Sequence, residues 1–217
     1  MRKLRIGADK WRKLRRREDE RHPVLGLRSI RLALRNVELL RTQLRAALRA
    51  SALGEIRIMF PLITQMQELR QAKMLLTDVM EDLEEHHIAF DRDIEVGMMV
   101  EVPAAVILID RFVEEVDFIS IGTNDLIQYT LAVDRGNKNV ASMYTAADPA
   151  VLRQIDTSLK AAAKAGIPAN ICGQMSGNTV YTMLLLGLGL RQFSVPPAAI
   201  LEIKRVDGKS VVEGTSV

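Results

Sequence analysis

Five residues carry side chains that could do chemistry together, four of them at or just beyond the end of an apolar run. Glu101 closes "IEVGMMVE", Asn124 and Asp125 follow "VDFISIGT", Arg135 comes one short helical stretch later, and Cys172 closes "ANIC". Two carboxylates brought together are hard oxygen donors of the kind that hold Mg²⁺, with water and substrate oxygens completing the shell. The alternative reading pairs Glu101 with an arginine. Asn124 and the backbone N–H groups around Gly122–Asp125 suit an anion. Arg135 offers a planar fork of donors for phosphate or carboxylate, or stands as a surface charge. Cys172 reads either as a small core hydrophobe or as a thiol that donates a proton or attacks as a nucleophile. A nucleophile needs a base, and none of His22, His86 and His87 lies at a clear strand end, so proton donation is the better chemical reading.

The elements that must position these groups alternate. Apolar β-type runs fall at residues 3–6, 56–60, 94–101, 116–121, 169–173 and 192–195. Their nearly continuous apolar character predicts strands covered on both faces. Between them lie helical patterns. Leu27, Ile30, Leu34, Val37, Leu40, Leu44 and Leu48 recur at spacings of three and four, which predicts one helix over 27–50 with interleaved arginines on its solvent face. Residues 65–85 repeat the pattern. Asp148-Pro149 reads as an N-cap and first helical position, with Gly166 ending that helix and Pro168 barring its continuation. Strand–helix alternation demands parallel strands joined by crossovers, in an open doubly wound sheet or a closed (β/α) barrel. Both place ligands at the carboxyl ends of the strands, where the polar residues cluster. No Gly-x-Gly-x-x-Gly turn follows a strand, so a dinucleotide fold lacks its signature.

Composition narrows the function class. The chain has 217 residues, 48% hydrophobic and 26% charged, enough for one large domain or two small ones. No apolar run reaches the roughly 18–20 residues of a membrane span, and the basic N-terminus lacks an apolar signal core. One cysteine excludes an internal disulfide and fits a reducing cytoplasm. The net charge of +3 is concentrated in "MRKLRIGADKWRKLRRRE". Such a start suits nucleic acid or an anionic membrane, or is simply solvated. With aromatics at 4% there is little to stack bases on, so the expectation is no nucleic acid and no membrane.

"GTNDLIQYTLAVDRGN" resembles the signature segment of the enzyme I family of the bacterial sugar phosphotransferase system, the phosphoenolpyruvate–protein phosphotransferases. "LRIGADK", "VLGLRSIRLAL", "IRIMFPLIT", "GMMVEVPAA" and "NICGQMSG" match other segments of that family in the same order, from about residue 2 to 205. The resemblance implies a (β/α)₈ TIM barrel that binds phosphoenolpyruvate (PEP) and Mg²⁺. It implies Glu101 and Asp125 as metal ligands. Arg2, Arg28, Asn124, Asp125 and Arg135 would bind substrate, and Cys172 would protonate the enolate carbon. It further implies phosphoryl transfer to a histidine on a separate domain, a phosphocarrier histidine protein reached through domains this chain does not match, and a homodimer formed through the barrel.

The chain departs from the family in places. About six of eight βα units are present, so a partial barrel is expected, with the basic segment 1–22 as the remnant of a strand and loop. The PEP-binding barrel domain would occupy 23–205 and a tail 206–217. Arg5 stands where the family has an aspartate, which bears on Arg2, and Gln174 stands where a glutamate is common. A gene fragment is one expectation from these departures. The alternative to a phosphotransferase domain is an inactive fragment, or an interaction module that docks on an intact enzyme I.

Overall fold

The computed structural model describes residues 2–5 and 24–212, with side-chain surroundings for 24–206 and 208. The chain divides into two compact units between Met99 and Val100. The expected boundary at 22/23 lies outside the described residues.

In the first unit, strands β1 (Arg2–Arg5), β2 (Ile56–Phe60) and β3 (Val96–Val100, whose last residue opens the second unit) pair in chain order and in parallel. Parallel neighbours need long crossovers. Helices α1 (Ser29–Arg35) and α2 (Val37–Ser51) supply the first and α3 (Met66–Glu85) the second. The single helix expected over 27–50 is therefore two. Asn36 turns its amide back to the Leu32 carbonyl at 2.7 Å and leaves helical geometry at φ −119°, ψ 65°. A short amide that captures its own backbone competes with helix continuation. The break shifts the apolar face: Leu32 and Ala33 are buried, and Val37 is exposed. Beyond it Leu40, Leu44 and Leu48 face inward, as do Leu69, Leu76, Val79 and Leu83 of the neighbouring α3. On the partly exposed face of α2, Arg41 and Arg45 pair with Asp78 and Asp82 of α3.

In the second unit, β4 (Phe118–Gly122) pairs in parallel with β5 (Ala169–Cys172). All five β4 residues are buried, as a strand covered on both faces requires. Two short helices, α4 (Pro103–Ile107) and α5 (Ile109–Phe112), precede β4. The crossover to β5 is made by α6 (Thr123–Thr130) and α7 (Pro149–Ala165), and α7 packs on both strands. The signals read for α7 hold. Asp148 Oδ1 accepts from Ala150 N–H at 2.8 Å, Pro149 starts the helix, and Gly166 ends it at φ +71°. Helices α8 (Thr179–Gly187) and α9 (Ile200–Val212) follow, so most of the segment expected as a tail is helical. The sixth expected strand, 192–195, is not one. It makes a single bridge, Ile171 with Phe193, through Ile171 N to Gln192 O at 3.1 Å and Ser194 N to Ile171 O at 2.8 Å. Pro196 and Pro197 follow at once and lack the N–H donors to extend a ladder.

Candidate functional site

The second unit gathers the residues that the sequence singled out beyond residue 100. Glu101 follows β3 directly and is 3% exposed. Val102 is extended, and Pro103 then starts α4 with its φ preset for a helix. At the next strand end there is no loop. Gly122 closes β4 and Thr123 opens α6, so Asp125 falls in the first helical turn, 7% exposed. The partial positive charge of a helix N-terminus favours a carboxylate there.

Register brings β5 to the same place. Gly122 lies opposite Cys172, so the turn Thr123–Asp125 runs beside Cys172–Gln174. The two turns are sewn together. Thr123 Oγ1 donates to the Cys172 carbonyl at 2.9 Å, and Asn124 Oδ1 accepts from Gln174 N–H at 2.9 Å. Gly173, at φ +104°, is where they touch. A Cβ there would run into Thr123 Oγ1 and lie 3.0 Å from Asn124 Oδ1. Only glycine meets both demands, positive φ and close approach. Cys172 is half-buried.

Arg135 is exposed, but its position is set from behind by its own N–H, which donates to Oε1 of the buried Gln128 at 3.2 Å. Tyr144 joins the group. Its hydroxyl donates to the Asn124 carbonyl at 3.1 Å. Burial pushes the Tyr144 phenol above its ordinary value of 10.0. The Arg135 charge opposes this, the Asp125 carboxylate adds to it, and a hydrogen bond from Arg135 opposes it again. The phenol thus senses both the Arg135 charge and the Asp125 carboxylate. Sequence reasoning passed over Tyr144. The available signal was one of three tyrosines in an aromatic-poor chain, four residues before a helix cap.

Two of the expected site residues lie in the first unit. Arg28 is half-buried at the N-cap of α1, where its carbonyl accepts from Leu32 N at 3.3 Å. Arg2 belongs to β1 opposite Ile56, and its side chain lies outside the described residues. Their part in binding rests on the resemblance alone. His86 and His87 are exposed at the end of α3, as a surface pair should be, and His22 lies outside the described residues.

Among the described residues no group of three or more His, Cys, Asp or Glu side chains is placed to hold a metal ion. The pair Glu101 and Asp125 nonetheless suits a divalent cation by its chemistry. Both are carboxylates, hard oxygen donors, and both are buried. A Mg²⁺ ion commonly takes only one or two protein carboxylates, the rest of its shell coming from water and phosphate.

Residues 1–210 match the family model described as PEP-utilising enzyme, PEP-binding domain. A phosphoenolpyruvate-protein phosphotransferase of Priestia megaterium is 47% identical over 204 residues, covering 94% of this chain and 36% of the relative. The protein of the same name from Listeria monocytogenes is 45% identical over 217 residues, covering 98% and 38%. The chain thus spans little more than a third of the length of these relatives. Among solved structures, a citrate lyase from Burkholderia xenovorans superposes with a TM-score of 0.57 at 20% identity, covering 76% of this chain and 53% of that one. A malate synthase from Haloferax volcanii reaches 0.55 at 13%, covering 82% and 55%. These distant neighbours bear on fold alone, a parallel α/β architecture akin to the TIM barrels. Because the family match runs along nearly its whole length, the chain belongs to the PEP-binding domains of PEP-utilising enzymes.

Proposed function

We propose that this chain is the PEP-binding (β/α)₈-type barrel domain of a cytoplasmic phosphoenolpyruvate–protein phosphotransferase, which passes the phosphoryl group of PEP to a histidine carried on another domain. The observation that carries the reading is the register of β4 with β5. It runs the Thr123–Asp125 turn beside Cys172–Gln174, and Tyr144, bonded to the Asn124 carbonyl, senses both Asp125 and Arg135.

Phosphoryl transfer asks for positioning and charge neutralisation more than for covalent help. Glu101 and Asp125 would hold Mg²⁺, which when bound acts as a Lewis acid on substrate oxygens. Arg135 offers its guanidinium to the phosphate and carboxylate of PEP. The amide of Asn124 faces the same anion while its oxygen stays tied to the Gln174 N–H. As the P–O bond to the enolate breaks and phosphorus bonds to an imidazole nitrogen, the enolate oxygen takes the electron pair. The Cys172 S–H then delivers its proton to the methylene carbon, and pyruvate is the product. The phosphohistidine is passed on to a phosphocarrier protein. A second copy of the chain is the proposed partner of the domain itself.

Calorimetric titration of the full chain with PEP and Mg²⁺ tests the reading. We expect weak, Mg²⁺-dependent binding that Asp125→Ala abolishes while the circular dichroism spectrum is kept. Absence of any heat at millimolar ligand would overturn it. That result, with co-purification on a full-length relative, would favour an interaction module, a reading supported by the exposed apolar side chains Val180 and Leu201.

A further inference from the structure

The apolar strands β4 and β5 each carry one polar side chain that binding and transfer do not use. Ser120 lies opposite Asn170 in the ladder, and they are 1% and 3% exposed. Alternation along a strand puts Ser120 on the face of Gly122, and Asn170 on the face of Cys172. Alanine or valine would fill either position without the cost of burying a polar group, so the pair calls for an explanation.

The hydrogen bonds form a directed chain. Asn170 Nδ2 donates to the Ile119 carbonyl at 3.2 Å, and Ser120 Oγ lies 2.8 Å from Asn170 Oδ1. A flipped amide would set two oxygens against each other at Ile119, so the carbonyl there fixes Asn170 with its own oxygen toward Ser120. An amide oxygen carries no proton and can only accept. The single hydroxyl proton of Ser120 is therefore committed to Asn170. Ser120 Oγ also lies 3.7 Å from Cys172 Sγ. With its proton already given away, the hydroxyl meets the thiol with a lone pair, and the donor in that contact is the S–H.

We propose that Ser120, locked by Asn170, is a positioning residue for Cys172, accepting its S–H and so holding the sulfur as an oriented, neutral thiol. A thiolate would gain nothing from this hydroxyl unless Ser120 broke its bond to Asn170 and turned. The arrangement opposes a resting nucleophile and preserves a proton to give. Its use rests on the reading of Cys172 as the proton donor to the enolate.

The one cysteine in the chain makes the S–H stretch a single, assignable Raman band. In the 217-residue protein without ligand we expect that band at the lowered frequency of a hydrogen-bonded thiol. Ser120→Ala should shift it upward, and Ser120→Thr, which keeps the hydroxyl, should restore it. A band already at the free-thiol position in the unsubstituted protein overturns the proposal, and that measurement needs no variant to fold. So does a band that Ser120→Ala, folded by circular dichroism, leaves in place. PEP binding is read by calorimetry on other samples, so failure of the phosphotransferase reading and failure of this one show in different data.

Discussion

Tyr144 shows how much a single side chain can report. Its phenol is raised above 10.0 chiefly by burial, with Arg135 lowering and Asp125 raising it. A raised tyrosine value means that the fold prefers the neutral form. The associated stability is whole below about pH 10, the unfolded value, and is lost as pH climbs through the higher folded value. The same neighbours give a test of the site. In an absorbance titration, Asp125→Asn should bring the Tyr144 transition down, because a raising charge is gone. Arg135→Ala should move it up. Shifts of the opposite sign, or none in either variant, would separate Tyr144 from both groups. Asp125, Asn124 and Cys172 were legible as candidates because residue type and strand-end position are sequence properties. The stitching of Asn124 to Gln174, and of Thr123 to Cys172, was not legible. It joins residues about 50 positions apart.

At the scale of elements, helix ends were the easiest features to read. The cap at Asp148 and the stop at Gly166 depend on local chemistry, and local chemistry is written in consecutive residues. The start of α3 is a denser case. Glu68 Oε2 accepts from Thr64 N at 2.7 Å, Thr64 Oγ1 at 2.8 Å and Gln65 N at 3.0 Å. Glu68→Ala would leave two backbone donors and a hydroxyl without this acceptor. We expect a loss of about 1–2 kcal/mol in urea unfolding, in the range for a broken cap. Glu68→Gln should recover much of it. A loss below a few tenths would mean that water replaces the carboxylate freely. By contrast, the division of the expected 27–50 helix at Asn36 escaped a periodicity argument. One residue out of step is invisible to a count of apolar positions but decides which side chains face inward. The 192–195 run failed as a strand for the opposite reason: its apolar content was sufficient, but two prolines removed the donors a ladder needs.

For the molecule as a whole, the notable feature is apolar surface on the last helices. Val180 and Leu201 are 78% and 79% exposed, and α8 packs on α9. Among the described residues no helix is long and apolar enough to cross a membrane. Exposed apolar side chains grouped on packed helices favour association. We expect sedimentation velocity to show concentration-dependent self-association, weakened by Val180→Glu with Leu201→Glu. A concentration-independent monomer would remove the second copy from the proposed partners.

The amino-acid sequence by itself determined the alternation of strands and helices, the caps, and the types of group delivered to each strand end. These follow from period, turn chemistry and side-chain identity, all properties of neighbours in the chain. Tertiary structure alone decided which strand ends meet. The β4–β5 register places Gly122 against Cys172. A slip of one residue would turn Ser120 away from Asn170 and the thiol to the other face, because side chains alternate with a period of two. It also decided which way each buried hydrogen bond points. A hydroxyl has one proton to give, and only the arrangement of its partners in space says where that proton goes.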